Sequence, residues 1–142
     1  MADDVLINKA ASIERGVARA KEEYQKDAST FATDLTRQDA AILNIRRACE
    51  AALDMGQHLI RREKLRVPQS ARDVFELLSR GGWLETSPLA TMKNRVGFRN
   101  IPVHEYQTLQ LPITVAIITE HLGDFVEFSS AIIRKDAALS GS

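Results

Sequence analysis

The run Ile42-Leu43-Asn44-Ile45-Arg46-Arg47-Ala48-Cys49-Glu50-Ala51-Ala52-Leu53-Asp54-Met55-Gly56-Gln57-His58-Leu59 decides the fold class. Its residues Ile42, Ile45, Cys49, Ala52, Gly56 and Leu59 step by threes and fours, the period that lays one stripe along one face of an α-helix. Thr36, with Asp39 three residues later, resembles a capping box that would open this helix. The small side chains Cys49, Ala52 and Gly56 on the stripe would let a neighbouring helix approach closely.

The same rhythm extends in both directions. Leu6, Ala10, Ile13, Val17, Ala20 and Tyr24 stripe a first helix that starts after Asp3 and Asp4. Ser70 and Asp73 open a third, bearing Val74, Leu77 and Leu78, and Gly81–Gly82 closes it. Ser87 and Pro88 form an N-cap and first-turn pair for a fourth, with Leu89, Met92 and Val96 facing inward. Pro112 can open a fifth, striped by Val115, Ile118, Leu122, Phe125 and Ile132. All four prolines (Pro68, Pro88, Pro102, Pro112) lie mid-chain, so long uninterrupted helices are possible at both ends. No segment alternates apolar and polar residues between turn signals, which argues against a sheet. The expectation is an all-α antiparallel helical bundle, with three long helices (first, second and last) forming the core and two shorter ones between them. It would be a single domain over residues 1–142, with a short disordered tail from about Ala137.

Composition narrows the function. With 142 residues the chain needs no disulfide or metal staple to bury a core. Its 44% apolar and 27% charged residues belong to a globular protein, not a disordered one. Cys49 is the only cysteine, which excludes an intrachain disulfide and any cysteine-based zinc cluster. Asp3 and Asp4 stand where a secretory signal would carry positive charge, and no apolar run reaches the roughly 18 residues of a membrane span. A cytoplasmic protein without membrane contact is expected. The 19 basic and 19 acidic residues cancel, yet residues 61–104 hold nine basic against four acidic groups. That stretch is either a set of solvated helix faces or a basic anion-binding surface.

Most familiar chemistry is missing. There is no phosphate-binding glycine loop, no dinucleotide-binding turn and no histidine pair at metal-ligand spacing. His58 and His121 stand alone beside apolar stripes, and Cys49 reads as an inert core residue. Trp83, after the glycine pair, either covers one end of the core or offers a surface for base stacking. Glu120, Asp124 and Glu127 share a helix face that reads as solvated in preference to cation-binding.

One segment stands apart: Arg95-Val96-Gly97-Phe98-Arg99-Asn100-Ile101-Pro102-Val103-His104-Glu105-Tyr106. It concentrates arginine, asparagine, histidine and tyrosine in an otherwise apolar pattern, and Gly97 and Pro102 both weaken a regular helix. Arg99 and His104, five residues apart, would not share a face on a straight helix. A kink or a second copy of the chain would bring them together.

Arg99-Asn-Ile-Pro-Val-His104-Glu-Tyr106 resembles the Arg-x4-His-x-Tyr signature of HEPN-domain proteins of the HepT type, the toxin halves of HepT–MntA toxin–antitoxin modules. Ile7-Asn8-Lys9, Ile42-Leu43-Asn44, Cys49-Glu50 and Pro68-Gln69-Ser70 resemble that family as well, so the likeness runs from about residue 5 to residue 135. The resemblance implies a helical homodimer acting as a metal-independent ribonuclease without a cofactor, with the motifs of both subunits lining a cleft at the two-fold interface. Arg99 and His104 would be catalytic and Asn100 supporting. Lys93 and Arg95 are candidates for flanking phosphate contacts, and transfer RNA is one candidate among RNA substrates. Tyr106 would accept AMP from an MntA-type nucleotidyltransferase antitoxin, placing an anionic group beside His104 that repels RNA. The other reading is a non-catalytic HEPN subunit that presents nucleotide or substrate to a separate nucleotidyltransferase.

Overall fold

In the computed structural model, which describes residues 3–96 and 111–140, every regular element is helical. α1 spans Asp4–Gln25, α2 Leu35–Arg62, α3 Ala71–Arg80 and α4 Thr86–Val96. α5 (Leu111–Ala116) passes through a π-helical turn (Ile117–His121) directly into α6 (Leu122–Ser140). α1, α2 and the continuous α5–α6 rod are the three long members, and α3 and α4 are the short ones, as the periodicity predicts.

Local chemistry explains where these helices begin. Asp3 caps α1 by accepting from the Val5 and Leu6 N–H groups. Ser70 caps α3 by accepting from the Asp73 N–H at 3.0 Å. α2 departs from expectation: its cap is Asp34, which accepts from the Arg37 N–H at 3.1 Å, so Thr36 and Asp39 lie inside the helix. An ionised carboxylate at Asp34 is favoured at the positive end of the helix, and the three-residue 3-10 turn Phe31–Thr33 delivers the chain to it. α4 likewise starts a residue before Ser87, with Leu89 N–H donating to Glu85 C=O at 3.1 Å, which leaves Ser87 and Pro88 in its first turn.

α2 and α3 end alike. Leu65 N–H returns to Ile60 C=O at 3.0 Å and Trp83 N–H to Leu78 C=O at 2.7 Å, each across a residue in the left-handed region. At the end of α3 that residue is Gly82, with φ of 84°; at the end of α2 it is Lys64, with φ of 56°. The two helix ends converge, since a Cβ on Gly81, the C-cap of α3, would lie 3.3 Å from Leu65 Cδ1.

α1 and α2 run antiparallel. Lys9 Nζ meets Asp54 Oδ2 at 3.1 Å, Arg62 Nη1 meets Asp3 Oδ2 at 3.0 Å, and Arg37 Nε donates to Glu23 C=O at 2.9 Å. α6 lies antiparallel to α1 on the other side, with Arg62 Nη2 at 2.9 Å from Asp136 Oδ1. Leu6, Ile13, Ile42, Ile45, Met55, Leu59, Phe125 and Ile132 fill the space between the long helices. Phe75 of α3 meets Phe128 of α6 edge-on, their ring centroids 5.5 Å apart. The small-residue stripe of α2 is spent within the chain. A Cβ on Gly56 would lie 2.6 Å from Val74 Cγ1, and Cys49 Sγ donates to the Arg95 C=O at 3.5 Å. That stripe is therefore not a surface for a second copy.

Two further differences concern the C-terminal rod. Thr114 is fully buried and Val115 only half so, because the extra residue of the π turn shifts the inward positions that precede it. α6 also stays helical through Ser140, three residues past the start of the tail expected to be disordered.

Candidate functional site

Arg99, Asn100, His104 and Tyr106, with Gly97 and Pro102, lie outside the described residues; the structure defines the two helices that bracket them. α4 brings the chain to this segment and α5 takes it away. Met92 fixes α4 in the core, and the hydrogen bond from Cys49 holds the Arg95 carbonyl against the middle of α2. On the far side, buried Thr114, Ile117 and Ile118 seat α5 and the π turn. The motif thus springs from a fixed stem.

The charged groups of the stem are already engaged. Lys93 Nζ lies 2.8 Å from Glu76 Oε2 on α3, and the hydrogen bond from Lys93 holds the Glu76 carboxyl below its ordinary range. Arg95 Nε approaches Asp124 Oδ2 of α6 at 3.5 Å, an ion pair and not a hydrogen bond. His121 Nδ1, at the end of the π turn, reaches the same carboxylate oxygen at 3.4 Å. Asp124 therefore ties the root of the motif segment to α6, and any phosphate contact from Arg95 would compete with it. Glu120 and Glu127, which shared the expected acidic face with Asp124, are exposed. Among the described residues, no group of three or more His, Cys, Asp or Glu side chains is placed to hold a metal ion.

Half of the described basic residues of the stretch 61–104 are paired, Lys93 and Arg95 among them. Arg62 binds Asp3, Glu63 and Asp136, and Arg66 binds Asp73. Trp83 is buried and lies under the Arg62 guanidinium, 5.6 Å from ring centroid to Cζ, so it covers the core and offers no face to a base. His58 is not isolated either: its Nε2 donates to Asp3 Oδ2 at 2.7 Å. Burial alone would raise the Asp3 pKa, but hydrogen bonds from His58, the Leu6 N–H and Arg62 outweigh it and bring it down to about 2. This network joins the ends of α1, α2 and α6. Its residues lie far apart in sequence, and no local motif announces it.

A cysteine-poor helical bundle whose two stem helices carry an Arg-x4-His-x-Tyr segment between them defines a HEPN-type protein. Residues 13–132 match the family described as Ribonuclease HepT-like, and the chain belongs to that family. It is 45% identical over 131 residues to the mRNA nuclease HepT of Shewanella oneidensis strain MR-1, covering 92% of this chain and 97% of that one. Among solved structures it is similar to a toxin–antitoxin complex with AMP-PNP, at 42% identity and a TM-score of 0.85, covering 92% of this chain and 98% of the other. It is also similar to the tri-AMPylated Shewanella oneidensis HEPN toxin bound to its MNT antitoxin, at 42% identity and a TM-score of 0.84, covering 92% and 97%.

Proposed function

We propose that this chain is a toxin endoribonuclease that cleaves RNA through Arg99 and His104 and is silenced by AMPylation of Tyr106. The observation that carries the reading is the 45% identity to an mRNA nuclease across nearly the whole of both chains, in a chain holding the complete Arg99–Tyr106 motif. The same likeness favours messenger RNA over transfer RNA as the substrate.

The chemistry needs no metal. One His104 takes the proton from a ribose 2′-OH, and that oxygen attacks the adjacent phosphorus. A P–O2′ bond forms, the P–O5′ bond breaks, and the departing 5′-oxygen receives a proton from an imidazolium. Imidazole suits both steps, since its unperturbed pKa of about 6.5 leaves both forms populated near neutrality. The products are a 2′,3′-cyclic phosphate and a 5′-hydroxyl. Charge gathers on the non-bridging oxygens in the transition state, where the planar Arg99 guanidinium can grip two of them at once. Two chains related by a two-fold axis would supply two copies of each residue, one histidine serving as base and the other as acid. Asn100 supports the constellation beside Arg99.

An MntA-type nucleotidyltransferase is the partner this reading calls for. It would move AMP from ATP to the Tyr106 hydroxyl, releasing pyrophosphate and leaving an anionic adenylyl group two residues from His104. RNA would then meet both repulsion and a filled cleft.

The test is cleavage of bulk RNA in EDTA. Fragments ending in 2′,3′-cyclic phosphate are expected from the native chain, with Arg99→Ala and His104→Ala each lowering the rate by a factor of about 10² or more at unchanged melting temperature. Nucleotide binding without fragments would sink the nuclease reading and leave the non-catalytic subunit. Mass spectrometry after coexpression with the cognate transferase should add AMP mass to the peptide holding Tyr106. Loss of toxicity with Tyr106 bare would refute that part.

A further inference from the structure

A groove of about 630 Å³ lies away from the stem, along the outer seam of α1 and α2. Its charge is graded. At one end Lys9 and Asp54 neutralise each other at 3.1 Å. At the other, Arg15 and Arg19 from α1 stand on one wall and Arg46 and Arg47 from α2 on the opposite one. Gly16 makes the groove possible: a Cβ there would lie 2.8 Å from the Asn44 carbonyl oxygen, so the two backbones close up beneath the arginines.

Glu50 of α2 also lines the groove, but Arg15 and Arg19 are lightly held and Arg47 is exposed. Among the described residues Arg15 reaches only the Ser12 hydroxyl, at 3.1 Å. Arg19 touches Glu22 and Glu23 at 3.4 Å each, with half its side chain exposed. Long contacts between exposed groups contribute little, so they yield readily to a stronger anion. Arg15 and Arg19 are one helical turn apart, giving two guanidinium forks in a row along one wall.

We infer that the basic end of this α1–α2 groove is a track for RNA backbone phosphates, gripped by Arg15, Arg19, Arg46 and Arg47 outside the Arg99–Tyr106 segment. It rests on the ribonuclease reading for the identity of its ligand. A polyanion fits better than a protein partner. No aromatic or methionine side chain lines the groove, whereas protein interfaces are built around such anchors. The same lack removes base stacking, so the track reads phosphates and not sequence. It would hold a long substrate on the surface while a short stretch enters the cleft.

The experiment uses the full-length chain and a short, mixed-sequence, fully 2′-O-methylated RNA labelled with fluorescein. This RNA cannot be cleaved, so binding is read independently of catalysis. The double variant Arg15→Ala/Arg47→Ala removes one exposed guanidinium from each wall. We expect its affinity at about 0.1 M salt to fall about tenfold and the slope of log affinity against log salt to drop by about 1.4, the value for two lost phosphate contacts on a single strand. Arg15→Lys/Arg47→Lys should keep the slope and lose part of the affinity, because the charge stays while the fork is lost. Lys21→Ala, an exposed charge on α1 outside the groove, should change neither. Unchanged affinity and slope in the folded double alanine variant would overturn the inference, even if the native chain cleaves RNA. Loss of capture by a nucleotidyltransferase partner with RNA binding intact would overturn it too, making the groove a protein dock. Groove-dependent binding by a chain that never cleaves would uphold the track and count against the nuclease reading alone.

Discussion

Asp3 performs two tasks: its carboxylate caps α1 and also accepts hydrogen bonds from His58 and Arg62. Its pKa of about 2 lies below the ordinary 3.8, so folding favours the ionised form. The resulting stability is present in full above the unfolded value and drains away as pH falls through the folded one. From the linkage relation it amounts to about 2 kcal/mol. Asp3→Ala should therefore destabilise by about 2–3 kcal/mol at neutral pH and much less at pH about 2, as urea titrations at the two pH values would show. Arg37 is the other residue on which much hangs. It donates to the carbonyls of Glu23, Tyr24 and Asp27 and lies over the Phe31 ring, closing the C-terminal end of α1 from the start of α2. Arg37→Ala strips these carbonyls of their donor and should cost about 3 kcal/mol in chemical denaturation. Arg37→Lys should recover only a minor part, since an ammonium cannot span three carbonyls as a guanidinium does.

At the scale of elements, the paired ends of α2 and α3 allow a clean comparison. Both close with the same backbone hydrogen bond, but α3 uses glycine in the left-handed position and α2 uses Lys64. An L side chain in that region costs about 1 kcal/mol, so Lys64→Gly should stabilise the protein by about 0.5–1 kcal/mol, seen as a higher melting temperature. Gly82→Ala should do the opposite by a similar amount. The contact of α2 with α3 is less forgiving. Gly56→Ala gains about 1 kcal/mol of helix propensity, but the new methyl meets Val74 at 2.6 Å and the packing penalty is about 1–3 kcal/mol. A net loss of stability is expected, relieved in the double variant Gly56→Ala/Val74→Ala if steric conflict is the cause.

At the scale of the whole molecule, the stem of the motif is held from three sides. α4 is tied to α2 by Cys49, to α3 by Lys93 and to α6 by Arg95, all within its last turn and a half. If the cleft is built from two motifs, light scattering should give twice the 15.8 kDa chain mass at concentrations where RNA is cut. Full cleavage by a monomer would refute the two-fold cleft. Removing the tie without touching the motif is informative. Asp124→Asn leaves Arg95 and His121 without their shared carboxylate and should lower the cleavage rate several-fold with the Arg99–Tyr106 sequence untouched.

The helices themselves were legible in the chain because 3.6-residue periodicity, caps and glycine stops are local. Leu6 to Ala20, Ile42 to Leu59 and Leu122 to Ile132 bury the faces their spacing foretells. The candidate site was legible as a motif, since the types and order of Arg99, His104 and Tyr106 are matters of sequence. Which charges are available to a ligand is a different kind of fact. Lys93 and Arg95 look like free cations until α3 and α6 bring Glu76 and Asp124 to them. Arg46 and Arg47 look like one solvated helix face until α1 sets Arg15 and Arg19 opposite. Pairing between side chains on different helices depends on how those helices pack, and helical period alone carries no record of which neighbour each face will meet.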